Sequence, residues 1–229
     1  MKTNFRRRIL GVGGGMLLTF MTGCTLLYGP RSDMVPGIAF PSERAKTMVT
    51  LARNAEKEGL AAQERLAAEM LAHLSNEKDP IIRGDIVREV GRFHTASAYQ
   101  MLVVAMNDSN EAMRLQACRT LATWKEKAEV TQLLCQAMLE DASRDVRLEA
   151  TRALELVADP AAVKSLALAL EDQVVGGPDP ALRDLAVVAL RKSSPVDYGN
   201  DPALWMAHLR GESATPPSKA AIMWDDLRR

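Results

Sequence analysis

Four arginines, Arg83, Arg114, Arg147 and Arg183, recur 31, 33 and 36 residues apart, each in the same local setting. Four residues before each stands Asp79, Asn110, Ser143 or Asp179. These side chains accept a hydrogen bond from the free N–H groups at a helix start. Twice the next residue is proline, Pro80 and Pro180, at the helical position where its missing N–H does no harm. Three residues after the cap come Ile82, Met113, Val146 and Leu182, and seven after come Ile86, Ala117, Ala150 and Ala186. Eleven after come Val90, Leu121, Leu154 and Leu190. Apolar residues at 3, 7 and 11 make one stripe on a helix. A period of this length leaves room for a second helix in each unit, and units of two helices bury their stripes only by stacking on one another.

The second helices are visible in the first three units. Their stripes are Tyr99, Leu102 and Met106, then Val130, Leu133, Leu134, Ala137 and Met138, then Val163, Leu166 and Leu170. Asp108, Asp141 and Asp172 close them just before the next cap. Low aromatic content, 4%, favours close-packed helices over strands. With their capped Asp-Pro-x-x-Arg openings and closing aspartates, residues 79 to about 209 resemble HEAT repeats, especially the short bacterial kind grouped with phycobilisome-lyase HEAT-like repeats. The resemblance implies an all-α, right-handed α-solenoid of HEAT-like antiparallel helix pairs, about eight to ten helices in all. It also implies a structural ladder between neighbouring units, built from Arg83, Arg114, Arg147 and Arg183 with Asp108, Asp141 and Asp172.

The flanks read differently. Residues 43–78, with apolar Met48, Leu51, Ala52, Ala55, Leu66, Met70, Leu71 and Leu74, look like a degenerate N-terminal capping helix pair. Residues 79–210 hold the repeats and a C-terminal cap. The fourth unit departs from the others: six residues, Gln173 to Pro178, separate Asp172 from the cap Asp179, where the earlier intervals have one. The run from Asp197 to Trp205 is similar to the closing segment of some bacterial HEAT-repeat proteins, with Trp205 covering the last open face. The polar tail, 211–229, holds a short helix near Ser218 to Leu227.

At the N-terminus, residues 1–23 have the layout of an export signal. Lys2, Arg6, Arg7 and Arg8 precede an apolar run from Ile9 to Met21, and then comes Thr22-Gly23-Cys24. Met21-Thr22-Gly23-Cys24 resembles the lipobox of bacterial lipoproteins, with Met21 where leucine is more usual. The resemblance makes Cys24 the lipidated residue (palmitate among the acyl chains) and cleavage is expected just before it. An uncleaved signal-anchor helix over Ile9 to Tyr28 is the alternative, since that stretch is just long enough to span a bilayer; Gly11, Gly13, Gly14 and Gly15 weaken it as a helix. Arg6-Arg7-Arg8-Ile9-Leu10 also resembles a twin-arginine export motif, with an ordinary basic leader as the other reading. Residues 24–42, carrying Gly29, Pro30, Pro36, Gly37 and Pro41, form a tether. Thr25, rather than aspartate, follows the cysteine, which resembles an outer-membrane address facing the periplasm.

Chemistry is sparse. Without the leader, 25 Lys+Arg stand against 29 Asp+Glu, a mildly acidic balance that speaks against broad nucleic-acid binding. His73, His94 and His208 sit in separate units and no metal-ligand spacing occurs, so neither metal nor cofactor is expected. Glu140, Asp141, Asp145 and Glu149 read as caps and solvated faces. The arginine column could also clamp an anion, but its presence in every unit favours the ladder. Repeats of this kind commonly bind proteins along the concave face lined by the second helices. The expected function is therefore a non-enzymatic, membrane-anchored scaffold or adaptor with a protein partner at the cell envelope. A self-assembling envelope component is the alternative, and a lyase-like enzyme subunit a remote third. Cys118 and Cys135 lie well off the core-facing stripes of their helices, so two partly buried free thiols are expected rather than a bridge.

Overall fold

The computed structural model describes residues 41–124 and 128–228, and within them the chain is all helix, with no strand. Two helices precede the repeats, α1 (Pro41–Glu58) and α2 (Leu60–Leu74). The helix thus begins at Pro41, inside the stretch expected to be tether. A single residue, Gly59, separates α1 from α2 at φ +101°, a left-handed backbone that a side chain would strain.

Three pairs follow: α3 (Pro80–Val90) with α4 (Ala96–Met106), α5 (Glu111–Leu121) with α6 (Ala128–Glu140), and α7 (Arg144–Val157) with α8 (Val163–Leu170). Then come α9 (Pro180–Ser193), α10 (Pro202–Leu209) and α11 (Lys219–Asp226). Eleven α-helices among the described residues exceed the eight to ten expected from periodicity. The one beyond ten is α11, the short helix expected in the tail near Ser218 to Leu227.

The four cap residues act as their spacing requires. Asp79 accepts from Ile81 N–H, Asn110 from Ala112 N–H, Ser143 from Val146 N–H, and Asp179 from both Ala181 and Leu182 N–H. Each such bond satisfies a donor that the helix itself leaves open, worth about 1 kcal/mol. Asp159 caps a 3-10 turn at Pro160–Ala162 that leads into α8, and Thr131 Oγ1 donates to it at 2.5 Å. This extra turn shortens α8 from its N-terminal end.

Odd-numbered helices α1 to α9 pack on one another, and even-numbered helices α2 to α10 do the same, giving two layers. Each even helix from α4 to α8 also packs on the odd helix that follows it. Every stripe residue of the first helices is buried, from Ile82 at 5% exposure to Leu154 at 0%. In the N-terminal pair the stripe is incomplete: Met48, Ala52, Ala55, Leu66, Met70 and Leu74 are buried, whereas Leu51 is 42% exposed. An end unit has a neighbour on one side only, so one flank of its helix has nothing to pack against. Within the first repeat, between α3 and α4, the chain turns tightly at Gly91, against the second repeat. A β-carbon there would meet Leu102 Cδ2 at 2.9 Å and Thr120 Cγ2 at 3.1 Å, and Trp124 Nε1 donates to Gly91 O at 2.8 Å.

Candidate functional site

The arginines and aspartates singled out by their spacing meet where the units join. Asp141 ends the α6 segment and accepts from Ser143 N–H at 2.8 Å, which fixes its carboxylate beside the next helix start. Arg114, one turn into α5, reaches it with Nε at 2.7 Å and Nη2 at 2.9 Å. Its remaining nitrogen, Nη1, donates to Asp108 O at 2.9 Å in the preceding loop. One guanidinium therefore ties together the loops on both sides of its unit, in the planar bidentate geometry that makes such pairs strong. Asp108 repeats the arrangement one unit earlier, accepting from Asn110 N–H at 2.8 Å and from Arg83 Nη2. Burial alone would raise the Asp141 carboxyl, but hydrogen bonds from Arg114 and Ser143 N–H, with the charges of Arg114 and Arg147, hold it below the usual carboxylate range.

The column does not continue unchanged. Arg147 keeps the upstream half of the pattern, with Nη1 donating to Asp141 O at 2.7 Å and Ala142 O at 3.3 Å. It hydrogen-bonds no carboxylate among the described residues, although it is only 7% exposed, and its buried Nε has no partner. Asp172 is taken instead by Arg183, through Nε at 2.7 Å and through Nη2. The inserted loop is the cause. Asp172 has no cap residue two positions on to hold it; it adopts φ +59° and turns towards α9. Gly176 lies over the Arg147 guanidinium, where a β-carbon would stand 3.2 Å from Nη2.

Further cross-unit ties were not foreseen. Arg44 of α1 donates to Glu77 at 2.9 Å and to Asp79 at 3.4 Å, doing for the N-terminal pair what Arg114 does for the second repeat. Arg144 binds the cap Asp179 in bidentate fashion at 2.6 and 2.9 Å. That hydrogen bond, opposed by burial but helped by the Leu182 and Ala181 N–H groups, keeps the Asp179 carboxyl low. Glu64 of α2 accepts from Ser97 Oγ at 2.8 Å at the start of α4. These ties bridge 33 to 35 residues, and no period in the sequence marks them.

The two layers present different chemistry to solvent. Odd-numbered helices are densely charged: α7 alone holds Arg144, Asp145, Arg147, Glu149, Arg152 and Glu155. Even-numbered helices in the middle of the stack are not. No charged residue occurs in α4, only Glu129 and Glu140 in α6, at its ends, and only Lys164 in α8. Their outer surface carries Gln100, Val104, Asn107, Gln132 and Gln136, with Val103, Leu133 and Leu139 half-buried. Between α4 and α6 lies a cleft of about 200 Å³ lined by Met106, Asn107, Leu133, Gln136 and Glu140. Such a surface offers amide donors and acceptors beside apolar side chains, which suits a polypeptide and offers an anion little.

Cys118 and Cys135 are both free and buried. Cys118 Sγ faces Met106 Sδ of α4 at 3.7 Å, while Cys135 is hydrogen-bonded to Ser165 of α8. The two thiols thus look to opposite neighbours. Burial pushes Cys118 up to about 12 and raises Cys135 as well, so neither forms the reactive thiolate at neutral pH. Native protein is expected to react with a thiol reagent at these two positions on the timescale of unfolding, and denatured, non-reduced protein to show both at once. Their absence after denaturation would mean a bridge. Among the described residues no group of three or more His, Cys, Asp or Glu is placed to hold a metal ion.

Comparison with known families agrees with the geometry. The family model described as HEAT repeats matches residues 67–155, from within α2 to within α7. No curated protein matches the chain.

Proposed function

We propose that this chain, which carries a HEAT-repeat domain, is a membrane-anchored lipoprotein acting as a protein-binding scaffold or adaptor at the cell envelope. HEAT repeats commonly serve as protein-interaction scaffolds. The anchor is the lipid on Cys24, in the outer membrane and facing the periplasm; Cys24 and the 1–23 export signal lie outside the described residues. The observation that carries the binding role is the uncharged face of α4 and α6, set against odd-numbered helices crowded with charge. A face whose charges are confined to the ends of α6 and the Glu140–Asp141 edge of the cleft suits desolvation by a partner over most of its area, because burying an unpaired charge is costly.

The test is a pull-down from detergent-solubilised envelopes with two variants beside the wild type. One carries Val104→Arg and Gln136→Arg on the proposed face. The other, Cys24→Ala, reports the anchor. A foreign protein recovered at stoichiometric yield and lost in the double variant is the expected result. Recovery of nothing but further copies of this chain would replace the adaptor with the self-assembling component. A mature N-terminus at Cys24 that carries no acyl chain in mass spectrometry of the wild-type protein would overturn the lipid anchor.

A further inference from the structure

The last helix faces the wrong way for a helix that packs on its own body. At 100° per residue, α11 has Ile222, Asp225 and Asp226 on one side and Ala220, Trp224 and Leu227 on the other, with Met223 at the edge of the second set. The body-facing side is the acidic one. Asn200 Nδ2 donates to Asp225 at 2.8 Å, and Arg191 pairs with Asp226 at 3.1 Å and with Asp197 at 3.0 Å. Ile222 alone on α11 is half-buried, beside Gly199. The apolar side is left mostly in solvent: Met223 is 51% exposed, Trp224 58% and Leu227 68%, although Trp224 and Arg228 also border a cavity of about 410 Å³ beside Tyr198, Asn200 and Leu204. No residue of α11 is buried.

An amphipathic helix normally turns its apolar stripe towards the core. Here polar bonds hold α11 so that the stripe points outward. The acids are spent on Asn200 and Arg191, and exposed Arg228 flanks the apolar stripe on the same side. The outward surface therefore combines tryptophan, leucine and methionine with a basic edge, and the exposed Asp225 and Asp226 lie on the opposite side of the helix. That is the chemistry of a helix lying at a lipid–water boundary: apolar side chains among the acyl chains, the indole at headgroup level and cations against lipid phosphates. The area also discriminates. Three side chains exposing on the order of 400 Å² in total fall short of the ~800 Å² that each partner in a stable protein interface contributes.

We propose that α11 rests on a lipid surface, with Met223, Trp224 and Leu227 seated at the acyl-chain boundary and Arg228 among the headgroups. The contact is peripheral, since no helix among the described residues is long and apolar enough to cross a membrane. It is a second attachment, chemically separate from the lipid on Cys24. A short helix binds a bilayer weakly on its own, and an anchor elsewhere on the same chain raises its effective concentration at the surface.

Tryptophan fluorescence tests this directly, because Trp124 and Trp205 are fully buried while Trp224 is exposed. Full-length protein is reconstituted into vesicles of phosphatidylcholine with one part in about five of phosphatidylglycerol, with and without bromine on the acyl chains. Brominated lipid is expected to remove roughly a third of the emission, one indole of three. Trp224→Phe should abolish that quenched fraction. Leu227→Asp should keep the Trp224 emission but escape quenching, and both positions are exposed enough for the fold to tolerate the change. Flotation of the Leu227→Asp protein, which lacks the α11 contact, reports the Cys24 anchor separately. Protein that floats with no bromolipid quenching would overturn the proposal and leave the anchor standing. Trp224 shielded from aqueous iodide, yet unquenched by bromolipid in a chain that dimerises with concentration, would assign the face to a second copy instead. A chain that neither floats nor quenches would refute both attachments.

Discussion

Replacing Trp205 with alanine is expected to destabilise the fold by about 3–5 kcal/mol and to loosen the C-terminal end before the rest. Trp205 is fully buried; its Nε1 donates to Gly199 O at 3.0 Å and Tyr198 meets it edge-on with ring centroids 5.1 Å apart. It is the only buried residue of α10, and α10 is the helix that closes the even-numbered layer against α8. Truncation removes an entire indole, leaves a carbonyl without its donor and reopens the end of the stack. Because each unit leans on its neighbours, the loss should spread inward from α9 and α8. Denaturant unfolding followed by circular dichroism checks the magnitude, and hydrogen exchange checks the direction. A loss below about 1 kcal/mol, or exchange that rises evenly along the chain, would show that α10 does not close the stack.

The second large effect separates two arginines that the sequence presents as equivalent. Arg114→Met should cost about 2–4 kcal/mol, because it strands the Asp141 carboxylate in a mostly buried site. Arg147→Met should cost less, about 1 kcal/mol, because it strands no carboxylate and frees only the Asp141 and Ala142 carbonyls. Methionine keeps the unbranched stem in both. The pH dependence follows from Asp141, whose folded pKa is depressed. The contribution of a depressed carboxyl is complete above its unfolded value, about 3.9, and is lost as pH falls through the lower folded value. The gap between wild type and Arg114→Met should therefore narrow below about pH 4. Equal losses for the two variants, or a gap unchanged down to pH 2, would refute this account.

The helix starts and core stripes were legible because they repeat. Asp79, Asn110, Ser143 and Asp179 each cap the helix that their spacing assigned to them, and Ile82, Met113, Val146 and Leu182 are buried at equivalent positions. What repeats only once was not legible. Arg44 and Arg144 serve as cross-unit ties, yet their partners lie more than 30 residues away and no period marks them. The exchange of Asp172 from Arg147 to Arg183 depends on how a six-residue insertion folds, and local pattern does not determine that. In α11 the pattern itself points the wrong way. Alternation of apolar and acidic residues predicts the apolar side inward, and polar bonds to Asn200 and Arg191 reverse it. The uncharged outer face of α4 and α6 was in the sequence all along. It becomes meaningful only when the two layers show which helices share a surface.

Layering of odd on odd and even on even has a mechanical consequence. Among the described residues no helix reaches past its neighbours to brace the far end, so tension applied at the two ends of the stack passes through every interface in series. The weakest interface yields first, and the others hold until the load rises again. Each pair that peels away releases some 31 to 36 residues of chain, about 110 Å when drawn out. A body built this way lengthens in instalments under strain and can recoil unit by unit when the strain is relieved, with the remaining pairs still folded.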